Sequence, residues 1–465
     1  MKRYLLPKTA QTKLLEIIKK KNFSKKQQEN LYTIYSYMVE KIIYNKRERN
    51  ISHRGFPSKE LKGLLSRYYN YTEILVDYNF LHKINYYKQK GQVAKYDLTF
   101  SYYGDDFEYV YLDETITSPD SEIIYTLHQN RELKPYKYLL NHFKKLEFDY
   151  DGYMVFCKKK IEEGKITQSQ LDCYNYSATK IYNRDFFFKK PKTDKRLHTN
   201  LTNAPKDLRR FVKHDGEFLV NLDFKNSQPF FLAVILKIIL EKNLIALSKM
   251  KPIIAKVQSR KASEAYNYFI RIQELFNEEF TDDEIKEMNI FIESAKSGKF
   301  YELLVDKLEF KRNDENILYK QKYSKEKRRH IVELYNESES DYENRRSFAK
   351  STALQVFFAS AKSTHSDATQ MKKLFPAVWK VTKILKDKHS SNFAALLQNI
   401  ESYIILDVCC KKIYKELKAP MFTIHDSIAT TLKYAEIAQK VILEETEKMT
   451  GISPIIGLEE WKKPF

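Results

Sequence analysis

Two aspartates that follow apolar segments are the residues of this sequence best placed to do chemistry. Asp223 ends a strand-like apolar run that starts at Phe218, and Asp426 lies at the polar tip of a predicted β-hairpin over residues 421–431. A carboxylate held between apolar strands costs free energy unless it is paired or bound to a metal ion. If the fold brings the two together, they could hold two cations about 4 Å apart and support an in-line displacement at phosphorus. Taken alone, Asp223 is more typical of an ordinary turn or helix cap.

A second segment supplies two cations at helical spacing. Arg346, Lys350, Leu354 and Phe358 are spaced by four residues, so they share one face of a predicted helix. Such a face could hold phosphates at its charged end and a base at its apolar end. In isolation, the simpler interpretation is a basic amphipathic helix that packs on the core.

The elements that would position these residues follow from the surrounding pattern. An apolar helix is predicted to start near Phe230, shortly after the strand that ends at Asp223, and residues 232–342 are strongly helical.

The first 103 residues have the pattern of a compact unit in which three helices precede a hairpin. The first predicted helix covers residues 29–44, the second starts with Ser58 as its N-cap, and the third covers residues 72–81. Two β-rich runs follow, over 83–87 and 94–100. This is the order of a winged helix, whose third helix would enter a DNA major groove. Lys88, Lys90 and Lys95 would then contact phosphates from the wing. The alternative is a small structural domain with a solvated basic hairpin, and the sequence favours neither interpretation.

Composition points to a polyanionic partner. The 465 residues include 81 Lys and Arg against 61 Asp and Glu, a net charge of +20, and so basic a protein usually meets nucleic acid. An AT-rich coding bias would explain many lysines but not the shortage of acids. The four cysteines form no metal-binding pattern and fit a reducing compartment. Neither a signal peptide nor an apolar run of about 20 residues is expected, so a cytoplasmic protein without a membrane partner is predicted.

These segments together resemble the family A DNA polymerases and the related phage-type single-subunit RNA polymerases, over about residues 190–465. The matches in chain order are Arg196-Leu197 ahead of Asn200, Leu222-Asp223-Phe224 with Gln228, Gly298-Lys299-Phe300-Tyr301, Arg346 and Lys350 with Phe358-Ala359-Ser360, Gln398 with Ser402-Tyr403-Ile404-Ile405, His425-Asp426-Ser427, and Pro454 to Trp461. No single match is specific, but their common order makes chance unlikely as an explanation.

The resemblance implies an α+β fold: a right-hand polymerase, with an antiparallel palm sheet and helical fingers and thumb, joined to the N-terminal winged-helix-like domain. The implied domains are a DNA-binding domain over 1–103, a linker and thumb-like helical region over 104–190, and palm and fingers over 191–465, with the fingers at about 233–385. The region before residue 190 lacks the acidic-pair motifs of a proofreading exonuclease.

The resemblance also implies roles for the charged residues. Asp223 and Asp426, with the main-chain carbonyl of Phe224, would bind two Mg²⁺ ions. Arg346 and Lys350 would hold the triphosphate of a nucleotide, and Lys350 could protonate the leaving pyrophosphate.

The remaining site residues would contact the nucleic acid and the incoming base. Phe358 would stack beside the templating site, with Leu354 one turn earlier on the same helix face. Arg196, Gln398 and His425 would sense the primer terminus.

The identity of the sugar stays open at this point. Gln228, five residues after Asp223, stands where DNA polymerases carry a Glu that blocks a 2′-hydroxyl, so its bulk favours dNTPs. Ser427 instead follows the RNA polymerase pattern. The resemblance implies a template-directed nucleotidyltransferase of a phage, plasmid or mobile element, acting on a DNA template-primer. The first expectation is an exonuclease-less DNA polymerase; the alternatives are a primase or single-subunit RNA polymerase, and a non-catalytic replication initiator.

Overall fold

The chain divides into two compact units of mixed helix and strand. The computed structural model describes residues 3–49, 54–84, 93–102, 104–112, 131–259, 264–313, 316, 318–324, 329–334, 340–358, 366–386 and 390–461. One unit comprises Met1–Phe188, Thr199–Leu219 and Trp461–Phe465, and the other comprises Lys189–His198 and Val220–Glu460. Both are rich in helix, and their strands pair antiparallel. The predicted α+β class is therefore confirmed.

The first unit is built from short strands and predominantly short helices. Its strands are β1 (Arg3–Pro7), β2 (Arg54–Gly55), β3 (Leu81–Ile84), β4 (Lys95–Leu98), β5 (Phe107–Tyr111), β6 (Leu146–Phe148) and β7 (Val212–His214). Its helices are α1 (Lys8–Lys20), α2 (Lys25–Arg49), α3 (Ser58–Leu64), α4 (Tyr68–Asp77), α5 (Lys137–Asn141), α6 (Tyr150–Glu162), α7 (Gln168–Tyr182) and α8 (Asn200–Asn203). Strand β1 pairs with β5, β6 pairs with β7, and β4 lies between β2 and β3.

The structure has the three helices predicted before residue 103, followed by two antiparallel strands, but with other bounds. Helix α2 is longer at both ends than the predicted 29–44, α4 begins at Tyr68, and helix α1 was not predicted. Helix α4 ends at Asp77 instead of Leu81, because Asn79 adopts a left-handed conformation (φ 59°) and the Phe80 amide donates to the Leu75 carbonyl. This is a Schellman-type stop. Ser58 is the first helical residue and not the N-cap, which is Pro57. Lys88 and Lys90 lie outside the described residues, and Lys95 begins β4.

One apolar core joins the N-terminal elements to helix α7. Buried side chains of α2, such as Tyr35 and Met38, share a cluster with Phe80 and with Cys173 and Tyr176 of α7. The N-terminal elements therefore depend for their packing on a helix beyond residue 103. The division into a DNA-binding domain, a thumb-like region and palm and fingers stays a prediction.

The second unit holds the long helices. Strand β8 (Glu217–Phe224) enters it, followed by α9 (Ser227–Leu240), α10 (Leu244–Ile254), α11 (Tyr268–Glu274), α12 (Asp282–Lys296), α13 (Phe300–Lys307), β9 (Tyr319–Ser324), β10 (Arg329–Leu334), α14 (Asp341–Phe358), α15 (Ser366–Leu374), α16 (Pro376–Lys386), α17 (Ser390–Ser402), a π-helix (Tyr403–Cys409), α18 (Cys410–Leu417), β11 (Phe422–Ile424), β12 (Ser427–Thr431), α19 (Leu432–Thr450) and β13 (Ile456–Glu460). Strand β8 pairs with both β12 and β13, and β12 pairs with β11.

Helix α9 and the stretch Ser391–Leu417 form much of the interior of this unit. Nearly every residue of α9 is buried, so it is a core helix. Ser391–Leu417 is long and apolar enough to cross a membrane by length and composition, which the sequence expectation overlooked. However, 72% of its apolar window is buried inside the protein. A core helix passes the same test, so the stretch is weak evidence for a membrane.

Candidate active site

Strand β8 delivers Asp223 to the edge of the core. Side chains alternate between the two faces of a strand, so Leu222 and Phe224 pack inward while Asp223, between them, is half-buried. The chain then turns at Asn226, which adopts the left-handed conformation (φ 53°, ψ 40°) before α9 begins. This turn brings the buried start of α9, with Gln228, back beside the end of the strand.

A two-residue loop delivers Asp426. Ile424 and Ser427 are paired at the ends of β11 and β12, so His425 and Asp426 alone make the turn, and His425 has a positive φ of 55°. Tight turns between paired strands require such a conformation. The Asp426 carbonyl accepts a hydrogen bond from the Phe224 amide at 3.4 Å. The two aspartates predicted from distant segments are therefore brought together, Asp223 at the end of β8 and Asp426 in the turn before its neighbour β12.

The site perturbs the carboxyl of Asp223. Burial, followed by the negative charge of Asp426, raises the pKa of Asp223 from 3.8 to about 6, against the lowering effects of Lys225 and Lys350. A bound cation would relieve this repulsion, so the donor set fits the Mg²⁺ predicted from the sequence. No cluster of three or more His, Cys, Asp or Glu side chains occurs among the described residues. Two carboxylates suffice for Mg²⁺, which usually completes its shell with water and substrate phosphates.

Helix α14 places its two cations on the same pocket. Its residues Phe348, Ala349, Thr352, Ala353, Val356 and Phe357 are buried, which leaves the face that carries Arg346 and Lys350 to the pocket. The Nε atom of Arg346 donates to the Glu302 carboxylate at 2.7 Å, and its guanidinium carbon lies 5.8 Å from the centre of the Tyr301 ring. Phe358 at the other end of this face is 40% exposed.

One cavity of about 390 Å³ collects the predicted residues of the second unit. It is lined by Arg196, Asp223, Phe224, Lys225, Asn226, Ser227, Gln228, Tyr301, Arg346, Lys350, Leu354, Phe358, Gln398, His425 and Asp426. Every site residue predicted after residue 190 is in this set. Ligand pockets are typically about 300–1,000 Å³, so the cavity is large enough for a small molecule such as a nucleotide. Ala359 and Ser360 lie outside the described residues, and Lys95 does not line this pocket.

Glu401 is the residue that sequence reasoning missed. It is fully buried on α17 and accepts hydrogen bonds from Arg196, Ser227 and Gln228. Burial raises the pKa of its carboxyl above the usual range, although the Arg196 guanidinium opposes the shift. The available signal was a single charged residue in an otherwise uncharged helix, because a carboxylate in such a place needs partners.

Lys225 and Tyr301 complete the pocket wall. The side chain of Lys225 packs against Gly457 of strand β13. A Cβ atom added to Gly457 would lie only 2.6 Å from the Cε atom of Lys225. Gly457 is paired with Asp223, so this glycine lets the lysine side chain pass beside the carboxylate. Tyr301 is also buried. The sequence resemblance placed it in the segment before α14 but assigned it no role.

Comparison with known proteins adds one distant structural likeness. No protein-family model matches the chain, and no curated protein matches it. Among 27 solved chains that match is the POL domain of Pol1 from M. smegmatis in a complex with DNA primer-template and dNTP. The alignment covers 93% of this chain and 69% of that chain, with 10% sequence identity and a TM-score of 0.33. With so low a TM-score, only the geometry of the site can support a function.

Proposed function

We propose that this chain is a template-directed nucleotidyltransferase, most specifically a DNA polymerase without a proofreading exonuclease, built as a right hand of palm, fingers and thumb. The observation that carries the proposal is the pocket of about 390 Å³ that combines Asp223, Asp426, Arg346 and Lys350. Two carboxylates on neighbouring strands and two cations on one helix are what a metal-bound triphosphate requires.

The acidic side of the pocket would bind the metal ions. Asp223 and Asp426 would hold Mg²⁺ through their carboxylates, with the Phe224 main-chain carbonyl as a further ligand. When bound, Mg²⁺ would stabilise the charge on the attacking and leaving oxygens of phosphoryl transfer. Because burial and, after it, the charge of Asp426 raise the pKa of Asp223, Asp223 has to lose its proton before it can act as a ligand.

The basic helix face would bind the rest of the nucleotide. Lys350 and Arg346 would neutralise the phosphate oxygens, and Lys350 could give a proton to the departing pyrophosphate. The hydrogen bond that Arg346 donates to Glu302 holds its guanidinium in one orientation before a nucleotide binds. This lowers the entropic cost of ordering the side chain on binding. Phe358, 40% exposed, offers a ring face for base stacking, beside Leu354.

The other wall of the pocket would contact the nucleic acid. Arg196, Gln398 and His425 line this wall, and they are proposed to contact the primer terminus. In the first unit, helices α2, α3 and α4 precede the paired strands β3 and β4, and strand β2, between α2 and α3 in the chain, completes a sheet of order β2-β4-β3. This order supports a winged-helix domain that binds duplex DNA. The net charge of +20 is consistent with both assignments.

A primase or single-subunit RNA polymerase is the second candidate, and one observation favours it. The Gln228 side chain is only 8% exposed, and its Nε2 donates to Glu401 at 2.6 Å. A side chain held back in this way leaves more room for a 2′-hydroxyl than its bulk alone suggests.

A primer-extension assay tests the proposed function. Template with or without primer is supplied with Mg²⁺ and either dNTPs or rNTPs. The DNA polymerase proposal expects primer-dependent extension with dNTPs. Primer-independent products from rNTPs would support the second candidate, and absence of any product with either sugar would favour a non-catalytic initiator.

A further inference from the structure

A single buried carboxylate connects the two walls of the pocket. Glu401 Oε1 accepts from Arg196 Nε at 2.7 Å and from a terminal guanidinium nitrogen at 2.5 Å. Its Oε2 accepts from Ser227 Oγ at 2.7 Å and from Gln228 Nε2 at 2.6 Å. Glu401 is 0% exposed, so these bonds are shielded from water and stronger than they would be on the surface.

This connection fixes the orientation of the Gln228 amide. The NH₂ end of Gln228 faces Glu401, because Gln228 Nε2 donates to Glu401 Oε2 at 2.6 Å. The carbonyl end then points elsewhere, and Gln228 Oε1 is a buried atom without a hydrogen-bond partner among the described residues. A charge-assisted bond is roughly twice as strong as a neutral one. The side chain is therefore held in one position in the pocket wall.

We propose that Glu401 is the positioning residue that sets sugar selectivity in this site. By anchoring Gln228, it determines how much space is available at the 2′ position of the incoming nucleotide. By holding Arg196 through its other oxygen, it places the primer-facing and nucleotide-facing residues in one network. The proposal rests on the proposed nucleotidyltransferase function and adds to it the residue that controls substrate class.

The choice of Gln at position 228 is consistent with this role. A glutamate there would place two carboxylates against each other in a buried site, where like charges are costly. Glutamine supplies the donor that Glu401 needs and keeps nearly the same length and bulk. Position and polarity, and not bulk alone, would then decide the selectivity.

The first test is Glu401→Gln, which leaves one acceptor oxygen for the donors of Arg196, Ser227 and Gln228. Selectivity is the ratio of kcat/KM for dNTP and rNTP in single-nucleotide addition. We expect this ratio to move about tenfold toward one, because the loss of a charge-assisted hydrogen bond frees the side chain that discriminates. Glu287→Gln is the matched control, since Glu287 accepts bonds from the Ala377 and Val378 amides outside the pocket.

A second variant separates anchoring from bulk. Gln228→Met keeps the length of the side chain but cannot donate to Glu401. It should lose selectivity as Glu401→Gln does, and combining the two changes should cause no further shift, as expected for residues that act as one unit. Circular dichroism and thermal unfolding verify that each variant is folded.

The outcomes separate this inference from the proposed function. A shifted ratio in both variants, without a shift in Glu287→Gln, supports the role of Glu401. An unchanged ratio in Gln228→Met, or equal loss of rate with both sugars in Glu401→Gln, overturns it while the polymerase assignment stands. A wild-type protein that adds neither nucleotide overturns the proposed function, and the role of Glu401 with it.

Discussion

At the scale of single residues, the site is defined by charged side chains that the fold brings close together. Asp223 is partly buried beside Asp426, and the result is a pKa of about 6 in place of 3.8. Such a raised value is typical of functional sites, where a bound ligand relieves the repulsion. The protein without metal therefore carries a local cost in stability that a neutral side chain would not have.

Asp223→Asn should stabilise the metal-free protein at neutral pH. The folded state disfavours the charged carboxylate, so the full cost is present above pH 6. The cost falls as the pH drops from about 6 to 3.8 and is absent below that, where the carboxyl is protonated in both states. We expect a gain of about 1–3 kcal/mol at pH 7.5. The gain should shrink as the pH falls through 6.

Denaturant unfolding in EDTA at several pH values measures this gain, with the exposed Asp306→Asn as control. Added Mg²⁺ should stabilise the wild type and have little effect on Asp223→Asn. A variant less stable than the wild type at pH 7.5 would mean that the carboxylate makes favourable contacts and is not waiting for a cation.

At the scale of elements, the junction between β8 and α9 sets the geometry of the site. The left-handed residue Asn226 reverses the chain so that Asp223 and Gln228 face one pocket. The strand, the turn and the helix were all predictable, because each depends on residues that are adjacent in the sequence. Glu401 was not, because its partners Arg196 and Ser227 lie 205 and 174 residues away. The stop of α4 at Asn79 was missed because a left-handed cap leaves only a weak signal in sequence.

Substitution of Asn226 tests whether this junction positions the chemistry. Asn226→Val places a β-branched residue at a φ of 53°, which should cost about 1–2 kcal/mol of stability and lower the rate of nucleotide addition. Asn226→Gly is the matched control, because glycine adopts the left-handed conformation freely. Unfolding curves and single-nucleotide addition supply the two readouts. If valine and glycine behave alike, the turn conformation does not matter for the site.

At the scale of the whole molecule, the residues that the sequence resemblance singled out line one pocket, but the resemblance could not define independent domains. Eleven predicted residues on different segments line one cavity: Arg196, Asp223, Phe224, Gln228, Arg346, Lys350, Leu354, Phe358, Gln398, His425 and Asp426. Their order along the chain was informative because each sits in a short local motif. By contrast, the core of the N-terminal elements includes Cys173 and Tyr176, a long-range contact that no local pattern encodes. Tests of DNA binding therefore require the whole chain.

Lys95→Glu tests the proposed DNA-binding role of the first unit in the full-length protein. Removing one phosphate-binding charge from the hairpin should weaken duplex binding at all sequences and reduce the salt dependence of affinity by about one unit of slope. Fluorescence anisotropy with duplex DNA over a range of salt concentrations measures this. Lys26→Glu, at an exposed lysine paired with Glu29 on α2, is the control. An unchanged slope would support the purely structural interpretation of this domain.

The most direct measurement of the central claim is single-nucleotide addition by the wild type, Asp426→Asn and Lys350→Ala on one primer-template with Mg²⁺. Affinity for the same primer-template is measured on the same preparations. Asp426→Asn removes a metal ligand and Lys350→Ala removes a phosphate-binding cation, so each should slow addition by about 10²-fold or more, while DNA affinity stays close to that of the wild type. Addition at a near wild-type rate by either variant, or a loss of DNA binding as large as the loss of rate, would contradict the assignment of this pocket as a nucleotidyltransferase active site.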